Sequence, residues 1–207
     1  MARTSRDLAW HRGLDRDRLA AEALRILDEE GREALTMRHL ASSLQVEAAS
    51  LYAHVRGKDE LIDAVLDRVL DSVVLPDADS DARATLLGGF ASYRRTLVAH
   101  PAVVLLMTER SRLSASQLRL AERSIAVLRA SGLSLRAAVD GHMTLVAFVL
   151  GFILQEVSRP TTLSAGAVPS PVMEDVIRTL RERSVDERFE IGLGLILDGV
   201  GVPRIPR

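Results

Sequence analysis

Between Thr36 and Lys58 the chain gathers side chains suited to holding a polyanion rather than to making or breaking bonds. Thr36, Arg38, Ser50, Tyr52, His54 and Lys58 each carry a donor that a phosphate oxygen accepts. Between them stand Ala48 and Ala49, too small to keep a partner at a distance. Chemistry of other kinds finds little purchase. The histidines, His11, His39, His54, His100 and His142, never fall at a metal-binding helix spacing such as H-E-x-x-H. There is no G-x-S-x-G, no glycine-rich phosphate loop and no cysteine, so nucleophile elbows, thiolate metal sites and disulfides are excluded together. The residues give no ground for an enzyme, a cofactor or a bound metal.

These donors need elements to place them, and the apolar spacing supplies helices. Asp15 can cap a first helix in which Leu19, Ala23, Ile26 and Leu27 form one stripe, with Gly31 stopping it. Thr36 caps a second, whose Met37, Leu40, Ala41 and Leu44 recur at helical spacing. A turn at Gln45-Val46 leads to a third, very short helix from Glu47 to about His54. After Gly57, the acids Asp59 and Glu60 open a fourth, amphipathic helix running to about Val74. Two short helices joined by a tight turn have the helix-turn-helix geometry, in which the second helix enters the major groove of DNA. Spacing alone leaves two readings open. The corner is either ordinary bundle packing or a helix held out to touch base edges.

Beyond Leu75 the aspartate-rich stretch "LPDADSDA" reads as a linker, and helices follow at 81–99, 101–110, 114–130 and 134–158. Ser114-x-x-Gln117 is a capping box, and Ser134 caps the helix that is apolar nearly all round from Met143 to Leu154. After a proline-rich loop at 159–171, two more helices are expected at 171–183 and 186–199. No strand pattern or repeat is present, so the expectation is an all-α chain of nine to ten helices. The 207 residues are 47% apolar and only 3% aromatic, an aliphatic core. The net charge of −1 does not announce a nucleic-acid binder, although Thr36–Lys58 is locally basic and 28–33 locally acidic. No signal-peptide core opens the chain, and the run from Met143 is too short to span a bilayer. A cytoplasmic protein without a membrane partner is expected.

The stretch "LDRDRLAAEALRILDEEGREALTMRHLASSLQVEAASLYAHVRGKDELI" resembles the N-terminal domain of the TetR family of transcriptional regulators over its full length. The resemblance rests on the fixed spacing of "G…LTMRHLA…L.V…SLY.HV..K.EL". It implies that Thr36, Met37, Arg38, Ala48, Ala49, Ser50, Tyr52, His54 and Lys58 stand at DNA-contacting places. One departure is Gln45, where the family carries glycine in the turn. The expected plan is a flexible arm at 1–13, a three-helix DNA-binding domain at 14–60, and a helical effector-binding and dimerisation domain at 61–207. The helix at 57–74 joins the two domains.

More weakly, "GLSLRAAVDGHMTLVAFVLGFILQE" and "RFEIGLGLILDGV" resemble the helices through which the tetracycline-repressor branch dimerises. A homodimer through helices near 134–158 and 186–200 is therefore expected, facing a double-stranded palindromic operator. The family binds a small-molecule inducer in this domain. Gly88, Gly89, Phe90, Tyr93, Met107, His142 and Phe148 are the candidates to line its site, each also readable as core. Where the tetracycline repressor holds its magnesium–tetracycline chelate, this chain has Val74, Gly89, Met107 and Leu150, none able to ligate a hard cation. The implied function is a ligand-released repressor with an apolar or aromatic effector, for which Tyr93 and His142 are polar handles. The alternative is a helical dimeric interaction or ligand-binding protein without DNA binding.

Overall fold

The computed structural model describes residues 13–76, 81–158 and 170–204. Among these the structure is helical without strands: α1 Arg16–Glu30, α2 Met37–Ser43, α3 Ala48–Leu51, α4 Lys58–Leu70, α5 Ala82–Val98, α6 Pro101–Glu109, α7 Ala115–Ala130, α8 Leu135–Val157, α9 Pro171–Arg181 and α10 Val185–Val200. A 3-10 turn, Arg32–Ala34, follows α1. The all-α expectation holds. The N-terminal arm, the middle of the linker and the proline-rich loop lie outside the described residues.

Two compact units divide the chain. The first draws on Met1–Val73 and Ala99–Leu120, the second on Val74–Val98 and Ala121–Arg207.

In the first unit α1 starts where its chemistry allows. Asp15 accepts the Arg18 N–H at 2.8 Å, and Gly31 ends the helix at φ 85°, open to glycine and strained for other residues. Leu19, Ala23, Ile26 and Leu27 are all buried, facing α4 through its Leu61, Ile62, Val65, Leu66 and Val69. That aliphatic slab contributes burial that offsets part of the entropy of ordering the unit. Helix α6 packs on α1 and α4 with Val103 and Val104 buried. It is tied there by His100 to Asp28 and Arg32 to Glu109.

Two elements are shorter than their spacing predicts. α3 is one turn, because the chain after Leu51 closes tightly instead: His54 N–H and Val55 N–H both reach the Leu51 carbonyl, at 3.0 and 3.1 Å. α4 stops at Leu70, leaving Val73 outside the helix.

The second unit packs α5, α8 and α10 against one another. Its core holds Leu86, Phe90, Tyr93 and Leu97 of α5, Ala138, Leu145, Val149 and Ile153 of α8, and Phe189, Leu193 and Leu197 of α10. α10 begins with a capping box between Ser184 and Glu187 and ends at Gly201, φ 92°. By length and composition α8, at 23 residues, could cross a bilayer. One of its faces forms the core of this unit, while Leu135, Val139 and Met143 are exposed.

Candidate nucleic-acid interface

The α2–α3 corner is fixed by hydrogen bonds that only one backbone conformation permits. Leu44 caps α2, Gln45 follows at φ 57°, and the chain reverses. The Gln45 N–H donates to the Ser42 carbonyl at 3.0 Å and the Val46 N–H to the Ala41 carbonyl at 2.9 Å. That pair of bonds is the Schellman motif, which needs a left-handed residue at this place. Gln45 takes the conformation that glycine would take freely, and it is the one non-glycine residue with positive φ among the described residues.

Beneath the corner Leu40, Ala41, Leu44, Leu51 and Val55 are buried. A second brace comes from polar groups. Arg25 of α1 donates to Glu22 and Glu29 and reaches Ser43 Oγ at 3.1 Å, while Ser43 donates to Glu22. The hydrogen bonds from Arg25 and then Ser43 hold the Glu22 carboxyl below its usual range. Sequence spacing does not foresee this brace. Its trace there is an arginine flanked at helical spacing by Glu22 and Glu29, a pattern that also describes any solvated face.

None of the nine expected contact residues is buried. Thr36, Arg38, Ala48, Ala49, Tyr52 and Lys58 are exposed, and Met37, Ser50 and His54 are half-buried. Tyr52 shows 54% of its surface, unusual for a large ring with no packing duty. Thr36 caps α2 through the His39 N–H at 3.0 Å. His39 turns away to Glu30, 2.8 Å distant. Lys58 opens α4, whose first N–H groups favour an anion. Gly57 before it is extended, so that break needs no special backbone. Glu60 accepts the Arg56 N–H at 2.8 Å and anchors the approach. The corner can therefore offer small and hydrogen-bonding groups on α3, with cationic and hydroxyl donors on the flanking turns.

The effector candidates are placed differently. Met107 is half-buried in α6, within the first unit, while the others lie in the second. Gly89 is closely covered by Leu75, whose Cδ2 would stand 2.7 Å from an added Cβ. Phe90 and Tyr93 are buried on α5, and burial pushes the Tyr93 hydroxyl above its ordinary range. His142 meets Ser124 Oγ at 3.1 Å, and burial pulls its imidazole below its ordinary value. Phe148 stacks on Phe189 at 5.7 Å and lies against Gly192. A residue the spacing does not single out, Arg94, is buried in this unit against Phe152 and Phe189. Its trace is a charge inside the apolar stripe of Phe90, Tyr93 and Leu97.

Comparison with known proteins agrees with the fold. Residues 19–65 match the family model described as bacterial regulatory proteins, tetR family, and residues 75–203 match the tetracyclin repressor-like C-terminal domain. The tetracycline repressor protein class A from transposon 1721 of Escherichia coli is 32% identical over 192 residues, 88% of each chain. The structure of ActR from Streptomyces coelicolor in complex with actinorhodin aligns at a TM-score of 0.77 with 32% identity, covering 91% of this chain and 95% of ActR. BioQ with its natural double-stranded DNA operator aligns at a TM-score of 0.70 with 28% identity, over 90% of this chain and 98% of BioQ.

Proposed function

The chain belongs to the TetR family of bacterial regulatory proteins, a DNA-binding regulator of transcription and not an enzyme, and from that premise we propose how it reads DNA and what releases it. It is a repressor. Residues 14–60 are the reading module, 61–207 carry effector binding and dimerisation, and α4, Lys58–Leu70, joins them. Ala48, Ala49, Ser50 and Tyr52 meet base edges in the major groove, while Thr36, Met37, Arg38, His54 and Lys58 position the module on the backbone. The observation that supports this best is the Gln45 turn, which holds exposed Tyr52 and half-buried Ser50 over a buried Leu40-Leu44-Leu51-Val55 base.

A homodimer presents two such corners to a palindromic operator. Leu135, Val139 and Met143 of α8, with Ile191 and Leu195 of α10, are the exposed apolar residues that a second copy would cover. An apolar or aromatic effector enters the C-terminal module, contacting some of Gly89, Phe90, Tyr93, His142 and Phe148. It displaces the dimer from DNA by binding the released state more tightly. Two structural relatives were solved with a ligand bound: ActR with actinorhodin, and a TetR variant from Acinetobacter baumannii AYE with minocycline. A magnesium chelate does not suit Val74, Gly89, Met107 and Leu150 of this chain. Its action on DNA puts the protein in the cytoplasm.

Mobility shift on the DNA flanking the chain's own gene tests the reading. Sequence-specific, salt-sensitive binding lost in Tyr52→Ala/Lys58→Ala supports it. Binding that is absent at every sequence, or equal on all of them, overturns it.

A further inference from the structure

Helix α5 turns two arginines inward, and each grips an aspartate at opposite ends of α10. Arg94 is 6% exposed. Its Nη1 donates to Asp186 Oδ1 at 2.7 Å, on the second residue of α10. Its Nε and Nη2 donate to the Glu156 carboxylate of α8 at 2.9 and 2.8 Å. The guanidinium carbon lies 5.0 Å from the Phe189 ring centre and 5.5 Å from that of Phe152. Eleven residues earlier, about three helical turns and so on the same side of α5, stands Arg83. Its Nη1 pairs with Asp198 Oδ1 at 2.8 Å in the last turn of α10, and its Nη2 donates to the Gly194 carbonyl at 3.1 Å. Arg204 also holds Asp198, from the chain just past the helix.

These ion pairs are a poor route to stability, because burying the arginines costs desolvation while the Asp186 side chain, 79% exposed, leaves its attraction screened by water. What they supply here is position. The buried face of α10 is a ladder, Phe189, Leu193 and Leu197, one apolar residue every four. Hydrophobic burial is non-directional, so such a ladder tolerates a slip of one turn along α5. A directional contact at each end does not: Arg94 Nη1 donates to Asp186, and Arg83 donates to the Gly194 carbonyl while pairing by charge with Asp198. Between the two grips lie Ile191 and Leu195, 42% and 68% exposed.

We propose that Arg83 and Arg94 are positioning residues that set the axial register of α10 on α5, and thereby the face, Ile191 and Leu195, on which a second copy of this chain packs. The proposal rests on the reading of α8 and α10 as the subunit face.

The test uses the full chain. Arg83→Met, Arg94→Met, Arg83→Lys, Arg94→Lys and Leu195→Asp are compared by sedimentation velocity across a dilution series, with helix content and urea midpoint measured alongside. The two methionine variants are expected to keep their helix content and to dimerise about tenfold more weakly, the scale of a lost coupling in an ordered network. Arg83→Lys should recover most of that loss. Arg94→Lys should not, since an ammonium cannot reproduce the two parallel bonds to Glu156. Leu195→Asp should be monomeric. If Leu195→Asp is monomeric while the folded methionine variants dimerise as the parent does, the arginines only stabilise and the proposal falls. If Leu195→Asp dimerises normally, the subunit-face reading falls first. Should Arg94→Met not fold, the less buried Arg83 decides.

Discussion

Gln45 offers a stability prediction whose sign and size both come from one dihedral angle. Its φ of 57° puts a side chain where the Cβ crowds the following carbonyl. That conformation costs an ordinary residue about 1–2 kcal/mol. Glycine removes the cost but carries more freedom in the unfolded chain, worth about 0.5–1 kcal/mol against it. Gln45→Gly should therefore stabilise by about 0.5–1 kcal/mol. A β-branched residue fits the left-handed region worse still, so Gln45→Val should destabilise by about 1–2 kcal/mol. The spread between the two variants, about 2 kcal/mol, corresponds to roughly 4–8 °C in Tm for a chain of this size. Urea denaturation at one fixed chain concentration measures it, since dimerisation would otherwise move the midpoint. The slope should not change, as neither variant alters the surface exposed on unfolding. The two turn bonds, Gln45 N–H to Ser42 and Val46 N–H to Ala41, survive in both variants, so operator affinity of Gln45→Gly should match the parent. Equal midpoints for the glycine and valine variants, or a glycine variant below the parent, would refute a left-handed residue at this turn.

Three further outcomes follow from the same contacts. Lys58→Ala should weaken operator binding on every sequence alike and reduce the slope of log affinity against log salt by about 1, with sedimentation still showing the parent's dimer. Gly192→Ala should lower stability in urea by about 1–3 kcal/mol, because the new methyl would stand 2.3 Å from the Phe148 ring. Glu22 is held below its ordinary pKa of 4.5 by Arg25 and Ser43, so its contribution is complete above that pH and is lost as pH falls through the depressed value. Denaturation curves for Glu22→Gln should accordingly fall less steeply with acid than those of the parent, and parallel curves would show that the Arg25–Ser43 brace carries no pH-dependent stability.

The helices are legible in the sequence because their signals are local. Asp15, Thr36, Ser114 and Ser134 are readable as caps from residue type alone. Asp15, Thr36 and Ser134 accept the expected backbone N–H, and Ser114 exchanges hydrogen bonds with Gln117. The stripe of Leu19, Ala23, Ile26 and Leu27 repeats at the helical period, and all four are buried. The Gln45 turn can be located from the helix spacing on either side of it. Helix ends are less legible. Residues 52–54 have acceptable helix propensity, and what ends α3 is the need to turn into α4, a tertiary requirement.

What escapes the sequence is of one kind: contacts between distant residues that decide where helices sit rather than whether they form. Arg94 meets Glu156 and Asp186, 62 and 92 residues away. No periodicity links those positions, and the one trace is Arg94 itself, a charge inside the apolar stripe of Phe90, Tyr93 and Leu97 that does not name its partners. Gly192 is likewise one glycine among several until Phe148 is brought over it. The apolar pattern explains why α5, α8 and α10 adhere, yet apolar residues recurring about every four leave the register underdetermined. Arg94 of α5, which holds Glu156 of α8 with a fork and Asp186 of α10 with one bond, and the Gly192 notch between α10 and α8 resolve it.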